Sequence, residues 1–104
     1  LRINNLVTGG TNHLPMSGIL SLEAYPSPTN GPVTLQYEIP ISGTYRLDLL
    51  DPSGRPLNQI FHGKLEQGSY QRSWEAENHL SPGIYILRLT GQNLQAIRRL
   101  VIIE

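Results

Sequence analysis

The segment from Val33 to Ile39 constrains the fold more than any other. Val33, Leu35, Tyr37 and Ile39 fall on one side of an extended chain, and Thr34, Gln36 and Glu38 fall on the other. A strict period of two describes a strand with one face buried and one wet, as in an antiparallel sheet. A helix would scatter the same apolar residues around its circumference. Pro40 cannot donate to a ladder and ends the strand, and Ser42-Gly43 turns the chain. Thr44 to Leu50 repeats the pattern, with Tyr45, Leu47 and Leu49 inward and Arg46 and Asp48 outward. With their turns these strands read as consecutive hairpins.

The remaining text keeps the same rhythm. Before the first clear strand, Leu20, Leu22 and Ala24 alternate with Ser21, Glu23 and Tyr25 until Pro26 and Pro28 intervene. After the Asp51-Pro52-Ser53-Gly54 turn comes a weaker strand, Pro56 to His62, and Gly63 and Gly68 bracket a connection. Tyr70, Arg72 and Trp74 alternate next; Leu80 to Gly83 turns, and Tyr85, Leu87 and Leu89 share a face. The last strand, Leu94 to Ile103, loses its alternation at Arg98-Arg99, which predicts a bulge or an edge position there. No window long enough for a helix keeps a 3.6 period free of Gly or Pro. About seven short strands with frequent turns predict an all-β immunoglobulin-like antiparallel sandwich.

Composition agrees and excludes several functions. The chain has 104 residues, enough for one domain. Residues 1–18 have no period and contain Gly9-Gly10 and Pro15, so they read as a linker, with a short strand at Arg2 to Val7 pairing at an edge or belonging to what precedes. Residues 19–104 form the domain. Eight Lys and Arg balance eight Asp and Glu, which gives no electrostatic reason to expect nucleic acid or an anionic membrane. The absence of cysteine removes disulfides, thiolate zinc sites and a cysteine nucleophile together.

No catalytic constellation is legible. His13, His62 and His79 lack metal-ligand spacing, and nothing resembles a nucleophile elbow. Glu75 and Glu77 read as a solvated loop rather than a glycosidase pair. Tyr37, Tyr45, Tyr70, Tyr85 and Trp74 lie on the inward phase, where they serve a core better than a sugar platform. Gly31 and Gly83 supply backbone angles, with no following helix to make a phosphate cradle. The expectation is therefore no catalytic residue, no cofactor and no metal.

The turns carry more information. Tyr25-Pro26-Ser27-Pro28-Thr29-Asn30-Gly31 resembles the opening motif of type IX secretion (Por secretion) C-terminal sorting domains, where a Y-P-N-P turn precedes an alternating strand. Asp51-Pro52-Ser53-Gly54-Arg55 resembles the family's acidic turn ending in Gly-Arg. Leu80 to Leu89, with Gly83 and Tyr85, resembles its late signature, and Arg98-Arg99-Leu100-Val101-Ile102-Ile103 its basic pair and apolar tail. Ser27 stands where the family has Asn, and serine can still bond the local backbone.

The resemblance implies a non-catalytic signal that carries a preceding cargo domain across the outer membrane. It implies as partners the translocon, with its shuttle and sortase proteins, and a path through the periplasm to the cell surface or medium. Sortase cleavage would fall in Thr8 to Gly18, and Arg98 to Ile103 would face the translocon as an edge strand open to strand addition. The same edge could pair two copies of the domain. The alternative is a carbohydrate-binding or fibronectin-like accessory module, which calls for exposed aromatics on one sheet face.

Overall fold

A computed structural model describes residues 19–75 and 80–103; the expected linker, His13 and His79 lie outside the described residues. Seven strands are present: β1 Ser21–Tyr25, β2 Val33–Ile39, β3 Gly43–Leu50, β4 Pro56–Leu65, β5 Gly68–Trp74, β6 Gly83–Gly91 and β7 Leu94–Ile102. They form two antiparallel sheets, β1-β2-β5 (sheet A) and β4-β3-β6-β7 (sheet B). The arrangement is an immunoglobulin-like sandwich.

Alternation puts the core between the sheets. Leu22, Val33, Leu35, Tyr37 and Ile39 from sheet A meet Tyr45, Leu47, Leu49, Tyr85, Leu87, Leu89 and Leu100 from sheet B. Tyr37 and Tyr70 stack across β2 and β5 with ring centroids 5.6 Å apart. Tyr70 and Trp74 do face the core, but they are only half-buried, because β5 is an edge strand.

Four readings need correction. β2 and β3 are not a hairpin: the chain changes sheet between them, and β3 pairs with β4 and β6 instead. β4 runs on through Gly63 to Leu65, leaving only Glu66 and Gln67 before β5. Asp48 does point outward, yet it is only 2% exposed, because Arg46 and Arg88 lie over it. Gly31 and Gly83 are not among the residues with positive φ; Gly54 and Gly68 are.

Gly54 has φ +94° at the end of its turn, where an added Cβ would cost about 1 kcal/mol or more. The β6–β7 hairpin turns on Gln92 and Asn93, both at positive φ (52° and 60°), the two-residue geometry that suits strand twist. Register in that hairpin is continuous, so Arg98-Arg99 sits on an edge strand without a bulge. The register shifts fall on β3 and β4.

Each change of sheet is fastened in the same way. Tyr45 donates its hydroxyl to Ile41 O (2.6 Å), Tyr70 to Glu66 O (2.7 Å) and Tyr85 to Ser81 O. In every case the tyrosine is the third residue of its strand and follows a glycine by two positions. The glycine opens the strand, and the phenol ties the incoming connection down, as in a tyrosine corner. The motif Gly-x-Tyr thus marks the β2→β3, β4→β5 and β5→β6 crossings.

Candidate functional site

Antiparallel pairing gathers the sequence motifs at one end of the sandwich. Tyr25 lies opposite Thr34, Val33 opposite Trp74, Leu50 opposite both Pro56 and Ile86, and Gly83 opposite Ile102. The turn after β1, the turn after β3, the entry to β6 and the end of β7 therefore share a pole.

The first turn acts as a strap across the last strand. Both Tyr25-Pro26 and Ser27-Pro28 are cis peptides, and Thr29 follows them. Its N–H donates to Val101 O (2.9 Å), and its carbonyl accepts from Ile103 N (2.8 Å), making a parallel bridge to Ile102. Its hydroxyl accepts from Gly31 N (3.1 Å) and donates to Gly31 O (3.0 Å), which shapes the turn. Ser27 Oγ accepts from Val101 N at 3.2 Å. The bond anticipated for Ser27 is thus made to a strand far along the chain rather than to its own turn.

The second turn is organised by one carboxylate. Asp51 Oδ1 accepts from Ser53 N (2.9 Å), Ser53 Oγ (2.6 Å) and Arg55 N (3.0 Å), while Oδ2 meets Arg55 Nε at 3.3 Å. The Ser53 hydroxyl first, and then the Arg55 N–H, hold the Asp51 carboxyl below the usual carboxylate range. Two hollows join these parts. One, of about 180 Å³, lies among Thr29, Gly31, Trp74, Leu80, Leu100 and Ile102. The other, an open groove of about 410 Å³, runs between Asp51 and Arg55 on one side and Pro82, Gly83 and Tyr85 on the other. Leu80 lines both.

The terminal residues divide their work. Arg98 donates to Glu23 Oε2 (2.9 Å) across the open side of the sandwich and to Ile97 O (3.2 Å). That bridge, chiefly through its hydrogen bond, lowers the Glu23 carboxyl and raises the Arg98 guanidinium. Leu100 is fully buried. Arg99 and Val101 point to the outer face of sheet B, opposite Ile86 and Ile84. Ile103 is 47% exposed at the pole, as is Tyr25 at 45%, and Pro26 and Pro28 are exposed beside it.

The expectation of unpaired backbone along Arg98 to Ile103 holds only in part. Backbone groups alternate inward and outward along an antiparallel edge. Those of Val101 point outward and are taken by Ser27 and Thr29, so the open stretch ends at Arg99. The strap was not legible because its partners lie at opposite ends of the domain sequence. The sheet-changing tyrosines were legible as Gly-x-Tyr, repeated at Gly43, Gly68 and Gly83. Among the described residues no cluster of His, Asp and Glu could hold a metal ion.

Fold and site together define a β-sandwich domain whose turn motifs and final strand close on one pole. Residues 23–103 match the family model of the secretion system C-terminal sorting domain, and the chain belongs to that family, the sorting signals of type IX secretion. No curated protein and no solved structure matches it. Domains of this family are generally non-catalytic. Membership implies a secreted or cell-surface cargo and interaction with the type IX machinery.

Proposed function

We propose that this domain is read at its motif-bearing pole by the outer-membrane translocon, which then carries the attached cargo out of the periplasm. The carrying observation is the convergence of all four motif segments on that pole, where the strap from Ser27 to Thr29 locks onto Val101 and Ile103. A receptor meeting the end of the last strand meets the strap with it, so recognition tests the folded state of the whole domain. Arg98 serves this reading by holding Glu23, and Arg99, Val101 and Ile103 present the surface. A sortase would cut between Thr8 and Gly18, releasing the cargo or joining it to the surface.

The accessory-module alternative needs a platform of exposed rings. Among the described residues Tyr25 is the one exposed aromatic, since the other tyrosines, Phe61 and Trp74 pack at the core. A single ring makes a poor sugar platform. The test is a fusion of the domain behind a periplasm-targeted fluorescent protein, with Ile103→Asp and Arg55→Glu at the pole. Loss of export with an unchanged melting midpoint supports recognition there; export at the parental level for both variants removes the pole from the account.

A further inference from the structure

The two outer faces of the sandwich differ in kind. On sheet A the outward rows are Ser21, Glu38 and Ser69, then Glu23, Gln36 and Gln71, then Tyr25, Thr34 and Ser73. None is aliphatic. On sheet B, Leu50, Ile86 and Arg99 form one row, with Ile84 and Val101 beside it and Asp48, Arg88 and Ile97 on the other side. Leu50 is 3% exposed yet stands outside the interior cluster, so this outer face has an apolar centre of its own. Ile84 and Ile97 around it are 47% and 46% exposed. Scattered exposed aliphatics need no explanation, but a contiguous set in register is a patch of the kind that marks an interface.

The charges on this face are lopsided as well. Arg46, Arg88, Arg99 and, opposite Thr44, Lys64 share it with the single carboxylate of Asp48. Asp48 meets Arg46 Nε at 3.0 Å and Arg88 Nη2 at only 3.9 Å. Arg88 Nε is buried with no hydrogen-bond partner, and Arg99 makes no ion pair among the described residues. On a chain of zero net charge, a face with cationic donors to spare is a local feature rather than a general one.

We infer that the outer face of sheet B is a docking surface for a folded protein whose matching face has an apolar centre and a carboxylate rim. The inference rests on the sorting reading and adds the chemistry of the partner. Carboxylates would pair Arg99 and Arg88, whose side chain is 32% exposed and reaches Asp48 only at long range, while aliphatic side chains cover Ile84, Ile97 and Val101. An anionic lipid surface fits less well. Membrane-binding segments gather roughly four to eight free basic residues, and here Asp48 restrains two of the four. A second copy also fits poorly: its sheet A offers no aliphatic residue, and its sheet B would oppose like charge. The basic pair then splits into two roles, Arg98 closing the sandwich and Arg99 meeting the partner.

The test uses the fluorescent fusion with Ile84→Glu, Ile97→Glu and Arg99→Glu, alongside Arg99→Lys and, on sheet A, Gln71→Glu. Circular dichroism and melting of each purified domain show that it folds. The three glutamate variants on sheet B should lose roughly tenfold or more of the exported fraction, as loss of one well-buried contact implies. Gln71→Glu should export like the parent, and Arg99→Lys, which keeps the charge but not the bidentate fork, should lose less than Arg99→Glu. Parental export of Arg99→Glu overturns the carboxylate rim, and parental export of both isoleucine variants overturns the apolar centre. Co-flotation of the purified domain with phosphatidylglycerol vesicles, or a dimer that Ile84→Glu dissolves, would reassign the face to lipid or to self-association and overturn the inference. If the parental fusion itself is not exported, the sorting reading falls too; if parent and variants are all exported, this inference alone falls.

Discussion

Thr29 lies alongside Ile102 in a parallel bridge, its N–H and carbonyl bonded to Val101 and Ile103 on either side. The opening motif and the closing strand of this sorting domain are thereby one structural unit. Thr29 is 6% exposed, so its hydroxyl bonds to Gly31 are shielded from water. Thr29→Val, which keeps the shape and removes the hydroxyl, should cost about 1–2 kcal/mol in urea unfolding. A cost near zero would mean that the turn does not depend on these bonds.

The closing strand is also part of the core. Leu100 is fully buried between the sheets, and Leu100→Ala should cost about 2–5 kcal/mol. Half-buried Trp74 at the end of β5 should lose less on truncation to Ala than its size suggests. The order Leu100 above Trp74 is checked by melting the two variants side by side. A deletion of Arg98 to Glu104 would remove Leu100 and unfold the domain, so export lost on such a deletion does not by itself locate a recognition element.

Three phenols fasten the three changes of sheet. Tyr45→Phe and Tyr85→Phe should each destabilise by about 1 kcal/mol, and Tyr70→Phe by less because its bond is exposed. Burial, its largest influence, raises the Tyr45 hydroxyl above its ordinary value. The unfolded chain then loses that proton first as pH rises, so folded-state stability falls through the tyrosine range. The alkaline slope of the melting midpoint should be shallower in Tyr45→Phe; an identical slope would exclude this phenol as its source.

The Glu23–Arg98 bridge gives an acid signature of opposite sign. Because the folded Glu23 carboxyl sits below its ordinary value, its contribution is present above the ordinary carboxylate pKa and fades as pH falls through the lowered one. Both side chains are half-exposed, Arg98 at 49% and Glu23 at 59%, so solvent screening limits the pair to at most about 1 kcal/mol. Glu23→Gln should flatten stability slightly between neutral and strongly acid pH, and high salt should remove most of the difference from the parent.

Sequence reasoning reached the fold because each strand carries its own record. Val33 to Ile39 alternates, and residues such as Pro40 and Gly54 mark where strands stop or turn. Which strands pair is a property of pairs, and period two does not encode it; hence β2 and β3 read as a hairpin although the chain crosses between sheets there. Asp48 shows the same limit. Its phase is outward as expected, but its burial comes from Arg46 and Arg88, one of which arrives from another strand. The motif residues of the site were visible as turns, whereas their convergence needed the register of both sheets.

The most direct measurement compares export of the parental fluorescent fusion in a host with an intact type IX system and in the same host with its translocon deleted. The account predicts fluorescence at the surface or in the medium of the first strain and only in the periplasm of the second. Equal distribution in the two strains, with the domain demonstrably folded, would contradict it.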